Sequence, residues 1–155
     1  MDPIKVRPAN NNDLETLLEF EQGVIEAERP FDPTLKAGHI HYYDLNKMIN
    51  SDDVQLVVAE VDRIIVGSGY ARIEKSKIFY KHSNFAYLGF MYVRPEYRGK
   101  GINRKIIDAL QTWSLSKNID ELRLEVYYEN LPAINAYKKI GFSNYIIEMR
   151  LGLSK

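Results

Sequence analysis

The turn Arg98-Gly99-Lys100-Gly101 holds the residue types best suited to chemistry in this 155-residue chain. Its two glycines permit a tight turn and let a ligand approach the backbone closely. Arg98, Lys100, Arg104 and Lys105 place formal positive charge around it. Free backbone N–H groups and the positive end of a helix dipole would converge on the same spot, so the fitting ligand is a phosphate or pyrophosphate. A short glycine pattern is weak evidence alone, and an ordinary turn before a surface helix is the plain alternative.

The flanking elements must position that turn. Tyr87 to Val93 is an apolar and aromatic run short enough for a buried strand, and Arg94-Pro95 ends it. From Ile102 the period turns helical, with Ile102, Ile106, Leu110 and Trp113 on one stripe. The order is therefore strand, glycine turn, helix. A further strand is expected over Glu121 to Tyr127, parallel to the first and joined by a right-handed crossover.

Other residues invite a chemical reading. Glu28, Arg29, Phe31 and Asp32 fall at the start of a proline- and glycine-bearing loop and could line a pocket, though a plain surface connection is the commoner outcome. His39 and His41 would share a face on a strand, but no carboxylate stands at metal-ligand spacing, so no metal site is expected. His82, alone in a basic loop, is a weak candidate for a general base and more simply an exposed residue.

At 155 residues a single domain, 1–155, is expected, with no internal repeats or linkers. Cysteine is absent, which removes thiol catalysis and disulfides and fits a cytoplasmic protein. No leader pattern marks the N-terminal residues, and no apolar run is long enough to span a membrane. The net charge is zero but unevenly placed: residues 1–60 carry 5 Lys/Arg against 12 Asp/Glu, and residues 61–105 carry 10 against 3. Anions are expected near the basic turn and cations near the acidic first third, while zero net charge argues against general nucleic-acid binding.

In chain order, Ile4–Arg7 reads as a strand. A helix follows, capped by Asn11 or Asn12 with Glu15, its apolar face inward and Glu15, Glu19, Glu21 and Glu26 on the wet side. A short helix is expected over Tyr43–Ile49, a strand pair over Val54–Val61 and Ile64–Glu74, a helix from Leu131 to Ile140 stopped by Gly141, and a last strand over Tyr145–Leu151.

Three segments together resemble the GNAT superfamily of acyl-CoA-dependent N-acyltransferases. VRPEYRGKGI, Val93 to Ile102, is similar to that family's pyrophosphate loop. LEVYYEN, Leu124 to Asn130, is similar to its fifth strand and following Asn. AINAYKKIGF, Ala133 to Phe142, is similar to its Ala, Tyr, Gly-Phe helix. Asn103 departs from the family's preference for Gly or Ala, and only 13 residues follow Phe142, which puts the final hairpin in doubt.

The resemblance implies an α/β (α+β) fold: a mixed, mostly antiparallel sheet of six or seven strands, a parallel pair at its middle, and about four helices. It implies an N-acetyltransferase that uses acetyl-CoA as co-substrate and passes the acetyl group to a primary amine by direct attack in a ternary complex. Met91, Tyr92 and Val93 would line the pantetheine arm. Arg98, Gly99, Lys100, Gly101, Ile102, Asn103 and Arg104 would hold the pyrophosphate. Asn130 would bond the cofactor arm, and Tyr137 would protonate the leaving thiolate. A Tyr hydroxyl keeps its proton at neutral pH, its ordinary pKa being about 10. Glu125 is the nominated base, with Tyr92, His82, a water chain and a plain surface role as rivals. Glu28, Phe31 and Asp32 are the nominated acceptor residues. The acceptor is expected to be a small-molecule or peptide amine, with no nucleic-acid or membrane partner and with exposed aromatics leaving room for a homodimer. The rival is a non-catalytic acyl-CoA-binding or sensor module.

Overall fold

The computed structural model describes residues 2–154. They fall into two compact units, one reaching to Glu125 and the other beginning at Val126.

The first unit is built on one five-stranded sheet in the order β1 (Lys5–Pro8), β2 (Val54–Val61), β3 (Ile64–Lys75), β4 (Asn84–Val93) and β5 (Leu122–Leu124). The first three pairings are antiparallel, and β4 pairs with β5 in parallel. Parallel neighbours need a crossover, and α3 (Ile102–Ser116) supplies it. Helix α1 (Leu14–Glu28) and the short α2 (Leu45–Ile49) complete the unit.

The sheet's two faces have different coverings. On one, Leu17, Phe20 and Val24 of α1 and Leu45 of α2 pack with Leu56, Val58, Tyr70 and Phe90. On the other, α3 sits so close that a Cβ at Gly67 would meet Ile106 and Ile102 at 3.2 and 3.3 Å, and one at Gly69 would meet Ile106 at 2.7 Å. Those two strand glycines are there to admit the helix.

Several expectations need correction. The helix start is set by Asn10, not Asn11 or Asn12: Asn10 and Asp13 form the capping box around the 3-10 turn Asn11–Asp13. Asp13 is held there by Arg7, whose guanidinium donates to both its oxygens at 2.8 and 2.9 Å. The second helix begins at Leu45, because Asp44 caps it through Lys47 N. Glu21 is fully buried rather than on the wet side. The expected strand Glu121–Tyr127 shrinks to Leu122–Leu124, and Tyr145–Leu151 forms no strand. Among the described residues the sheet therefore has five strands instead of six or seven, with its parallel pair at an edge. A strand exists only through a partner's ladder, and alternation within Tyr145–Leu151 does not supply one.

The second unit contains α4 (Leu131–Ile140), with Pro132 in its first turn and Gly141 at its C-cap with φ 123°. Among the described residues, no helix is long and apolar enough to cross a membrane.

Candidate active site

Strand β4 is the spine of the site. It pairs with β5 only from Ala86 to Leu88, then runs on alone past that neighbour to Val93. On its other side it stays bonded to β3, through a bulge that sets Phe90 and Met91 against one residue, Gly69. Phe90 stands at φ 56°, in the left-handed region that an aromatic residue rarely adopts. Such strain persists where the surroundings over-determine it, and here it marks the point where β4 leaves β5. Arg94 N bonds Val66 O at 2.8 Å. Alternation along an antiparallel ladder then turns the backbone groups of Val93 and Met91 away from β3 and toward the opened side.

The glycine turn follows directly. Pro95–Tyr97 makes a 3-10 turn, and Gly99 and Gly101 take φ 74° and 80°. Each would have open space around an added Cβ, so the turn is an open backbone surface and not a packed corner. The first bond into α3 runs from Lys105 N to Gly101 O at 3.1 Å. The N–H groups of Ile102, Asn103 and Arg104 therefore have no carbonyl four residues back within the helix. The basic side chains are partly engaged: Arg98 Nε donates to Val93 O at 3.0 Å, the Lys100 ammonium lies 5.0 Å from the Tyr97 ring centre, and Arg104 pairs with Asp108 at 3.2 Å. The arrangement fits a diphosphate, with backbone N–H groups as donors and cations at the rim. Arg98 also ties the turn to the end of β4, a contact that sequence spacing did not suggest.

A second group of residues gathers at the C-terminal end of α1. Glu28 Oε2 accepts from the Tyr42 hydroxyl at 2.7 Å. Burial pushes the Glu28 carboxyl above its ordinary pKa, against the Tyr42 hydrogen bond, and Asp32 nearby adds to the rise. Asp32 Oδ1 accepts from Thr34 N at 3.0 Å and from the Thr34 hydroxyl, while Phe31 N bonds Glu28 O at 2.9 Å. Glu28, Phe31 and Asp32 thus share one turn. Glu21 anchors the segment beyond it: its carboxylate accepts from Tyr42 N at 2.9 Å, Tyr43 N at 2.8 Å and His41 Nδ1 at 2.7 Å. His41 in turn meets His39, ring nitrogen to ring nitrogen, at 3.2 Å. Among the described residues no cluster of three or more His, Asp or Glu is arranged to hold a metal.

The segment held by Glu21 carries Tyr43, whose ring packs 4.8 Å from Phe90 and 5.8 Å from Tyr70, centroid to centroid. Tyr70 and Tyr87 follow at 6.5 Å, with the Arg72 guanidinium over both rings. Burial raises the pKa of all three tyrosines, so each hydroxyl keeps its proton. Glu125 lies just beyond β5 and near enough to Tyr70 and Tyr87 to raise both further. Sequence reasoning nominated Glu125 but missed Tyr70, Tyr42 and Glu21. The glycine at position 89, inside an apolar strand, was the available signal that a ring lies across β4.

In the second unit, Asn130 caps α4, its side-chain oxygen accepting from Ala133 N at 3.4 Å. Tyr137 stands in the helix's second turn with its ring edge-on to Phe142, 5.8 Å away.

The sheet is mixed, β4 outruns its parallel neighbour β5, and a glycine turn heads the crossover helix. The Acetyltransferase (GNAT) family model matches residues 18–142, and the chain belongs to that family. A thialysine N-epsilon-acetyltransferase of Bos taurus is 46% identical over 55 residues, covering 36% of this chain and 32% of that protein. A streptothricin acetyltransferase of Escherichia coli is 30% identical over 94 residues, covering 61% and 50%. The chain thus matches between a third and a half of the length of these curated relatives. A predicted acetyltransferase of Clostridium acetobutylicum, solved with acetyl-CoA, superposes with a TM-score of 0.73 over 97% of each chain at 21% identity, which speaks for the fold.

Proposed function

We propose that the protein is an N-acetyltransferase that moves the acetyl group of acetyl-CoA to a primary amine by direct attack in a ternary complex. The observation that carries this is the continuity of β4's unpaired end with the left-handed glycine turn that opens α3. A strand edge offers backbone bonds to an extended amide-bearing arm, and the turn offers N–H groups to a diphosphate; acyl-CoA has both parts in that order. Met91, Tyr92 and Val93 take the arm, and the residues from Arg98 to Arg104 take the diphosphate. Asn103 adds its own amide where a smaller residue is usual. Asn130 and Tyr137 carry the roles that the family pattern gives them, Asn130 toward the arm and Tyr137 as proton donor to the leaving thiolate. Glu125 receives the proton from the attacking ammonium.

The acceptor is a cationic amine, and Glu28, Phe31 and Asp32 form its entrance. The acidic turn at Glu28 and Asp32 supports that choice. The similar proteins named for acetylating thialysine and streptothricin lend it weight. The protein works in the cytoplasm, and its exposed aromatics leave room for a homodimer.

Calorimetric titration with acetyl-CoA, CoA and ATP tests the cofactor, using the native protein and Gly101→Glu. The expected result is binding of both CoA species and not ATP, weakened about 100-fold in the variant by a like charge beside the diphosphate. Equal binding by the native protein and the variant would refute the placement. No CoA binding by the native protein would refute the function.

A further inference from the structure

Tyr70 and Gly89 are cross-strand partners on β3 and β4, and both face the α1 side of the sheet. A Cβ at Gly89 would collide with the Tyr70 hydroxyl, so the ring of Tyr70 extends across β4 and its oxygen lies on Gly89. Position 89 tolerates this because glycine has no side chain. On the other side of β4, Leu88 pairs with Leu124. One residue further along each strand, alternation turns Glu125 to the same face as Gly89. Tyr70 on β3, Gly89 on β4 and Glu125, the residue that follows β5, therefore lie in one row, at the step before the Phe90 bulge. Gly89 stays partly open to solvent although the Tyr70 ring is 3% exposed. The buried Tyr70 thus sets its polar tip in the notch left by the missing side chain at position 89, beside a backbone that is partly exposed. Around that tip stand Arg72 and Glu74 on its own strand, Tyr87 on β4, Tyr43 before α2, and Glu125.

We propose that Tyr70 is a catalytic residue of the acceptor site: its hydroxyl receives the alkylammonium at the Gly89 notch and relays one proton from it to Glu125. This rests on the acetyl-transfer reading above. In the relay, the ammonium N–H bond breaks as its proton moves to the Tyr70 oxygen, and the Tyr70 O–H proton moves to the Glu125 carboxylate. The amine lone pair so freed forms the C–N bond, the C–S bond breaks, and the thiolate leaves with the electron pair. The amine's second proton passes to solvent as the amide forms, and the thiolate takes its proton from Tyr137, the donor proposed above, which solvent then reprotonates. No oxidant or metal is needed. The Arg72 guanidinium, set over the Tyr70 ring, favours the negative charge that grows on the oxygen as its own proton moves toward Glu125 ahead of the arriving ammonium proton.

The test uses the full chain with saturating acetyl-CoA and three probes: n-butylamine, 1,3-diaminopropane and L-lysine. Native protein, Tyr70→Phe and Gly89→Ala are first matched for acetyl-CoA affinity by calorimetry and for denaturation midpoint. Thiol release is then followed from about pH 6 to about pH 10. Tyr70→Phe is expected to lose about 100-fold in kcat/KM near neutrality, and the loss should shrink as pH rises and the amine arrives already neutral. Gly89→Ala, which keeps the hydroxyl but pushes it off the notch, should show the same pattern. A packing defect would lower the rate equally at every pH, and that outcome overturns the proposal. So does a Tyr70→Phe rate within about twofold of native. If the native protein binds acetyl-CoA but consumes none with any probe, the relay falls together with acetyl transfer to amines. Failure to bind acetyl-CoA at the first step sinks the underlying reading by itself.

Discussion

Replacing Glu21 separates two ways in which a buried carboxylate can matter. Its side chain is inaccessible, one oxygen accepts from Tyr42 N and Tyr43 N, and the other accepts from His41 Nδ1. In Glu21→Gln the single amide oxygen can keep both backbone donors, and the amide nitrogen can donate to His41 in the tautomer that accepts at Nδ1. Every bond then survives in neutral form. A hydrogen bond to a charged group contributes about 1.5–3 kcal/mol and a neutral one about 0.5–1.5. Two backbone bonds each lose roughly 1 kcal/mol, partly offset because no charge is buried. The expected cost is about 1–2 kcal/mol, or roughly 2–8 °C in Tm for a chain of this size. Glu21→Ala leaves two buried N–H groups without partners at about 1–3 kcal/mol each and opens a cavity, so about 3–5 kcal/mol is expected. Urea unfolding followed by circular dichroism, with slopes compared, measures both. Glu21→Gln matching or exceeding native stability would show that the charge is a net burden. Equal losses in the two variants would refute the accounting of hydrogen bonds.

Arg7 holds the Asp13 carboxyl below its ordinary pKa, chiefly by hydrogen bonding. A depressed carboxylate contributes stability that is present above its unfolded pKa and lost as pH falls through the folded one. The Asp13→Asn variant should therefore be less stable than native at neutral pH by about 2–3 kcal/mol, with the gap closing in acid; a gap that is constant with pH in equilibrium unfolding would refute this. Gly23 lies mid-helix, where alanine ordinarily adds about 1 kcal/mol, but its Cβ would meet the Tyr92 ring at 2.6 Å. Gly23→Ala should destabilise by about 1–2 kcal/mol, and a raised Tm would show that the ring can yield.

The sequence by itself determined what is written in consecutive residues. Tyr87 to Gly101 announced strand, stop and glycine turn, because proline, paired glycines and a change of period act on the local backbone. The glycine turn is made from that local backbone, so its shape was legible, and so were α3 and α4, with Pro132 at the start of α4 and Gly141 at its end. Tertiary structure decided everything that depends on a partner distant in the chain. Glu21 reads as one more acid on a wet helix face until residues 41–43 fold over it with three donors. Tyr145–Leu151 alternates like a strand yet has no ladder, since the second half of a ladder is never in the strand's own sequence. The row of Tyr70, Gly89 and Glu125 comes from β3, β4 and the residue after β5, and depends on register, which shifts at the Phe90 bulge and is not written in any one segment. Local chemistry set the glycine turn; only the sheet could bring a tyrosine, a glycine and a carboxylate to one line.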